Sequence, residues 1–272
     1  MSQPPIQFER RDARQGIEWL KQASAIFRKN PLAWLLLLFI YYLLVGIAEF
    51  GPWAAVGQIV APVLKPLFTV GFLAAAWTQE RGGSPKFEHL FRGFRSNLFA
   101  LIPLGIVFLA GITLAVLATT LVDGGKLIGM LSGTEKPSEE MLLGGQLQFA
   151  MLFGALCAVP TLFALWFAPA LVVFEDANAL TALATSLRAA IANWRSVATY
   201  SSLVFVLGGV LPGLVLSIGQ LFGDTVAGML ALFVVLPYLF AFIATLHISD
   251  YVSYRDVFHP NEVVTPEPPA QA

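Results

Sequence analysis

Along the chain, short stretches in which apolar and charged residues recur at helical spacing alternate with long stretches that carry no charge. Pro31–Ala48, Leu98–Val122, Met141–Phe174, Ser196–Gly223 and Thr225–Ser249 contain no Asp, Glu, Lys or Arg. A helix needs about 20 apolar residues to cross a roughly 30 Å hydrocarbon layer, so most of these stretches span a bilayer with residues to spare. A sixth span is expected between Gly51 and Gln79, where Lys65 interrupts an apolar stretch ending in Leu67–Trp77. The pattern predicts an all-α polytopic membrane protein with six transmembrane helices.

The short stretches have two faces. Ile17, Leu20, Ser24 and Phe27 oppose Arg14, Glu18, Lys21 and Arg28 in the first. Phe87, Leu90, Phe91 and Phe94 oppose Glu88, Arg92 and Arg95 in the second; Leu180, Leu183, Leu187, Ile191 and Trp194 oppose Thr181, Thr185 and Arg188 in the third. Each predicts an interfacial amphipathic helix lying flat on the membrane. Asp12 with Gln15, Ser84-Pro85 and Asn178 supply start signals. Each stretch ends in an aromatic-arginine step, at Arg28, Arg95 and Arg195, that runs straight into an apolar span.

The even-numbered spans share a second recurrence, in which Pro66, Pro160 and Pro237 are followed 13 to 15 residues later by Glu80, Glu175 and Asp250. The expected organisation is a single membrane domain, 12–258, of three repeats near 12–80, 84–176 and 178–258. Each repeat is one interfacial helix plus one transmembrane hairpin, and together they predict a pseudo-threefold bundle. Residues 1–11 read as an N-terminal tail, Asp123–Gly145 as a flexible loop rich in Gly, Ser and acids, and 259–272 as a disordered, proline-rich tail.

Composition agrees: 57% of residues are hydrophobic, only 12% charged, and the mean hydropathy is +0.74. The net charge of −1 gives no reason to expect nucleic acid. Basic residues cluster before the first span and in the even connections, from Arg10 to Lys29, Arg81 to Arg95, and at Arg188 and Arg195, with Arg255 after the last span. The other connections hold Lys126 and Lys136, diluted by Asp123, Glu135, Glu139 and Glu140. The positive-inside rule therefore puts both termini in the cytoplasm. No cleavable signal is evident, and the first span serves as its own insertion signal. The lone Cys157 rules out an intramolecular disulfide and a cysteine zinc cluster.

Phe167-Ala168-Pro169-Ala170-Leu171-Val172-Val173-Phe174-Glu175-Asp176, Ala182–Arg188 and Asn193-Trp194-Arg195 resemble the membrane domain associated with some glycerophosphoryl diester phosphodiesterases. From Gly16 to Phe258 the chain is similar to uncharacterised six-helix inner-membrane proteins of proteobacteria. The resemblance implies a bacterial inner-membrane location and a helical bundle. It carries no activity over, because the chain has no residues left for the catalytic barrel.

Two polar groupings stand out. Lys65 in mid-span costs at least ~2.5 kcal/mol on insertion scales unless it is paired or hydrated. Either Glu49 partners it inside the bundle, or the helix begins near Pro62 and Lys65 snorkels outward. His247, Asp250, Tyr251 and Tyr254 share one helical face, as a ligand or proton site or as an interfacial polar belt. No metal-ligand spacing, phosphate loop or hydrolase motif occurs, so no cofactor, metal or enzymatic activity is expected. The first reading is a scaffold or accessory protein of the bacterial envelope, the second a transporter or lipid-handling protein with a path between kinked helices, and an intramembrane enzyme comes third. Membrane lipid is the expected partner, with other inner-membrane or cytoplasmic proteins as further candidates. A closed apolar centre would favour the scaffold; a polar cavity reaching Lys65 or His247 would favour transport.

Overall fold

The computed structural model describes residues 6–136, 138, 141 and 144–260. Among them every regular element is a helix, and six helical runs are long and apolar enough to cross a membrane. The first hairpin comprises α1 (Gln15–Lys29), α2 (Pro31–Phe50) and α3 (Ala54–Glu80). A 3₁₀ helix (Phe87–Arg95) leads into α4 (Leu98–Ala118), the short α5 (Thr120–Asp123) and α6 (Lys126–Leu131), then α7 (Gln146–Trp166) and α8 (Ala168–Phe174). The third hairpin follows α9 (Ala179–Ala192) and comprises α10 (Trp194–Phe205), α11 (Leu211–Gln220), α12 (Asp224–Leu230) and α13 (Leu236–Phe258).

The short helices and both described chain ends lie at one end of the bundle, here the near end. Each short helix packs mainly on the even-numbered span of the unit before it: α1 on α13, the 3₁₀ helix on α3, and α9 on α7. Glycine allows the closest of these approaches. A Cβ on Gly93 would lie 2.1 Å from the Leu67 carbonyl oxygen, and one on Gly71 would lie 2.6 Å from the Leu90 Cα.

The faces differ from the expected stripes. In α1 it is Gly16, Trp19, Ala23 and Ile26 that are buried, while Ile17, Leu20, Ser24 and Phe27 are half-buried at the edge. In α9 the small residues Ala182, Thr185, Ser186, Ala189 and Ala190 face the protein, leaving Leu180 and Ile191 exposed. Small side chains let helices approach closely, so they form the protein contact and the large ones are left facing outward. The start signals also differ in part. Asn178 caps α9, accepting from the Thr181 N–H at 3.0 Å. The Asp12 side chain does not cap α1, whose N-cap is Arg14. The 3₁₀ helix begins after Lys86, whose N–H donates to His89 Nδ1 at 2.8 Å, rather than at Ser84-Pro85.

Two spans contain a single turn of π-helix, Val206–Val210 and Ala231–Val235, and each ends one residue before a Leu-Pro step. Proline lacks an N–H and crowds the carbonyl four residues back, and a wider turn relieves that crowding. In the π register residue 212 would donate to the Leu207 carbonyl; Pro212 cannot, and the Tyr238 hydroxyl donates there at 2.9 Å. The fourth span breaks at Phe167, ahead of Pro169. Ser186 of α9 splices the break: its hydroxyl accepts from the Phe167 N–H and donates to the Phe163 carbonyl, both at 2.9 Å.

Part of the connection read as a flexible loop is helical, as α5 and α6. The buried Asp123 carboxylate accepts from the Gly125 and Leu127 N–H groups at 2.9 and 2.8 Å. Glu139, Glu140 and the tail from Asn261 lie outside the described residues.

The core is concentrated at the near end. Trp19, Trp34, Leu37, Leu38, Phe72, Leu90, Leu101, Phe167, Leu171, Tyr251 and Tyr254 are fully buried there. Toward the far end, Leu214, Ile218, Leu221, Met229, Leu232 and Phe233 are exposed. The spans share a common core at the near end, whereas toward the far end the packing runs within each hairpin, as where Gly57 meets Ala48 and Gly219 meets Ala227.

Candidate functional site

A cavity of about 320 Å³ lies between α3, α4, α7, α8, α10 and α13. Its walls are apolar, formed by Pro66, Phe108, Leu162, Leu165, Pro169, Val204 and Leu246. Lys65, Thr69, Tyr200, Asp250 and Trp166 bring polar atoms to it. An apolar pocket of this size with a few converging polar groups is the usual form of a small-ligand site.

The backbone explains how Lys65 arrives there. α3 runs unbroken from Ala54 through Pro62 and Pro66, so the expected start near Pro62 is replaced by a 27-residue helix with Lys65 in its middle. Glu49 is not its partner. The α2–α3 hairpin seats Gly57 against Ala48, which leaves Lys65 eight residues, or about 12 Å, deeper than the level of Glu49. Instead the Lys65 ammonium sits 4.4 Å from the centroid of the Phe108 ring, a cation–π contact. No ion pair joins Lys65 to a carboxylate among the described residues, although Asp250 shares the cavity wall and is within electrostatic reach.

α13 carries the expected polar face, but the structure divides it by depth. His247 lies closest to the far end, stacked on Phe72 at 4.0 Å, with Nδ1 3.8 Å from the Asp250 carboxylate. Asp250 opens into the cavity, beside Tyr200, whose hydroxyl bonds to Ser249. Tyr251 and Tyr254 point into the near-end packing. Tyr251 donates to Glu80 at 2.6 Å, and Glu80 also pairs with Arg255. Tyr254 donates to Glu175 at 2.8 Å, the same distance as His259 Nε2 to that carboxylate oxygen. The face is therefore two sites in series, a cavity wall and an aromatic seal, rather than one cluster. The Trp166 indole N–H is buried beside the cavity without an acceptor among the described residues.

The recurring residues are not equivalent. Pro66 is buried and lines the cavity, whereas Pro160 and Pro237 are exposed. Arg28, Arg95 and Arg195 are all exposed: Arg28 at the rim of a groove beside α1, Arg95 at a cleft with Lys86 and His89, and Arg195 over the Trp194 ring.

Spacing alone gave no sign of the near-end clamp. Residues 6–11, expected to be a tail, have no regular secondary structure but bond to the bundle. The Arg11 N–H donates to Asn193 Oδ1 at 2.6 Å, Asn193 Nδ2 donates to the Glu9 carbonyl at 3.0 Å, and the Glu9 N–H donates to the Val257 carbonyl at 2.8 Å. Asp256 gathers α1 and this arm, accepting from Trp19 Nε1 at 2.8 Å and Gln15 Nε2 at 3.0 Å and pairing with Arg11 at 3.2 Å. Asp256 lies in the last turn of α13, and the signal for its role is spatial.

Glu175, just past the fourth span, is held below the usual carboxylate range by the hydrogen bond from His259 and, after it, that from Tyr254, against the opposing effect of burial. A depressed folded-state value stabilises above the unfolded value of about 4.5 and loses that stabilisation as pH falls through the folded one. The detergent-solubilised protein should therefore lose melting temperature more steeply below about pH 4.5 than Glu175→Gln does. Parallel profiles would show that Glu175 contributes nothing to acid sensitivity.

No protein-family model and no solved structure matches the chain. A probable inner membrane protein of Burkholderia thailandensis is 30% identical over 264 residues, which cover 94% of this chain and 96% of that protein.

Proposed function

The chain belongs to the family of the Burkholderia thailandensis probable inner membrane protein and is a multi-pass inner-membrane protein, and from that premise we propose that it is a transporter or lipid-handling protein. Its ligand would carry an anionic group on an apolar body. The observation that carries this reading is the cavity, where Lys65 and Asp250 meet apolar walls in the middle of the spans. A mid-membrane charge needs water, a partner or a ligand, and a cavity open to one of these explains why Lys65 is tolerated. Below the cavity, Phe174 stacks on Tyr254 and Tyr254 on Phe258, so access from the near end is closed and entry is from the far end or from lipid.

In this reading the near end is cytoplasmic, as the basic residues indicate, and the chain performs no covalent chemistry. Three units around a pseudo-threefold axis form the bundle, a reading supported by the cyclic packing of the short helices. The resemblance of Phe167–Asp176 and Ala182–Arg188 to the membrane domain of glycerophosphoryl diester phosphodiesterases belongs to the same proposal: both segments lie at the spliced break beneath the cavity. The scaffold reading retains one observation, the clamp that ties the arm at 6–11, α1, Asn193 and α13 together at the near end.

A photo-crosslinking residue in place of Leu246 separates the two. Irradiated in intact membranes, it is expected to yield a small-molecule adduct detectable by mass spectrometry. Cross-links confined to neighbouring helices would favour the scaffold and remove the transport reading.

A further inference from the structure

A second concavity, about 480 Å³, lies on the other side of the third hairpin, between α1 and the paired α10 and α13. Its walls are Leu203, Leu207, Tyr238 and Phe242 of the hairpin and Ile17 and Leu20 of α1. Lys21 and Arg28, seven residues apart on α1, also border it. We propose that this groove binds one anionic phospholipid of the leaflet on the near side, with an acyl chain along the hairpin and the phosphate at Lys21 and Arg28.

Three observations point to that occupant. First, the groove is a wedge fixed by the fold. α1 is pinned at its start, where Gly16 lies so close to α10 that a Cβ would meet the Ser196 carbonyl oxygen at 2.3 Å, and Trp19 packs near Tyr200. Its other apolar stripe, Ile17, Leu20, Ser24 and Phe27, is left half-buried along the groove. Second, the depth fits one leaflet. Leu203 and Leu207 lie nine and thirteen residues into the span from Trp194, or about 14 to 20 Å at 1.5 Å per residue, close to the roughly 15 Å half-thickness of the hydrocarbon layer. The floor is the π turn, where Tyr238 satisfies the Leu207 carbonyl and leaves an apolar surface.

Third, the rim is cationic where a headgroup would sit. Arg28 has no acidic partner among the described residues, and Lys21 shares an exposed contact with Glu18 at 2.8 Å. An apolar channel closed by an uncompensated cation matches an anionic lipid better than a zwitterionic one, each basic group near an anionic surface contributing about 1 kcal/mol. The groove shares no lining residue with the central cavity, whose wall residues Val204 and Leu246 stand next to Leu203 and Thr245 on the same two helices.

The test is native mass spectrometry of the full chain released from detergent after titration with phosphatidylglycerol and, separately, phosphatidylethanolamine. A single phosphatidylglycerol adduct is expected at roughly tenfold lower lipid concentration than the phosphatidylethanolamine one, which corresponds to about 1.4 kcal/mol. Lys21→Gln with Arg28→Gln should abolish that preference, and Ala241→Trp, or Ser24→Phe if the first does not fold, should remove the adduct with both lipids. Arg195→Gln should leave both adducts unchanged. Loss of the preference in Arg195→Gln as well would reduce the effect to general surface charge and overturn the proposal, as would an unaltered preference in the Lys21 and Arg28 double variant. If only Lys65→Gln lowers the adduct, the lipid belongs to the central cavity and the groove proposal fails while the cavity reading stands.

Discussion

Lys65→Gln is expected to lower adduct yield from the cavity at least about tenfold while the protein stays folded, because the substitution removes the charge a ligand would meet and leaves the packing below untouched. The ammonium contacts the Phe108 ring and, among the described residues, no carboxylate, so its loss strands no ion partner at contact distance. Asp250→Asn should have a smaller effect on capture and a comparable one on stability. The two charges are separated and open to the cavity, so their coupling should be about 1 kcal/mol or less after screening, well below the 3–5 kcal/mol seen when one partner of a buried contact pair is removed. A double-mutant cycle in detergent measures it. Strong coupling would mean that the two close into an ion pair, giving Lys65 a structural role. Unchanged capture in Lys65→Gln would sink the transport reading.

The spans were legible because their signal is composition over length, which lipid enforces on every helix that crosses it. The start of α9 was legible because Asn178 bonds its own turn, and the start of α1 was misread because the Asp12 side chain makes no such bond. Lys65 attracted attention because a charge in an apolar run is rare. Its partner could not be read from proximity along the chain, since hairpin register fixes which residues share a depth. Glu49 is near in sequence and far in depth; Asp250 is distant in sequence and shares the cavity.

The faces of the short helices were the least legible feature. A periodic apolar stripe marks a surface that avoids water without saying whether protein or lipid covers it. In α9 the protein took the small residues and left Leu180 and Ile191 outward. In α1 it took the stripe led by Trp19. Trp19 carries an indole N–H that burial obliges to find an acceptor, and it finds Asp256.

That obligation makes Asp256→Ala the substitution with the largest expected loss of stability, about 3 kcal/mol. Removing the carboxylate leaves a fully buried indole N–H without an acceptor, a cost of about 1–3 kcal/mol, and breaks the contacts to Gln15 and Arg11 as well. Arg11 keeps the Asp256 backbone carbonyl, which accepts from its guanidinium at 2.5 and 3.0 Å, so the arm is loosened rather than released. Trp19→Phe removes the donor along with its need and should cost less, even though the acceptor remains. Asp256→Asn, with one acceptor oxygen, should fall between. Thermal unfolding in detergent, followed by size-exclusion fluorescence, orders the three variants against Asp224→Ala at the exposed far end, which should match the parent within about 0.5 kcal/mol. If Asp256→Ala melts with Asp224→Ala, the arm, α1 and α13 are held by apolar packing alone and the carboxylate is incidental.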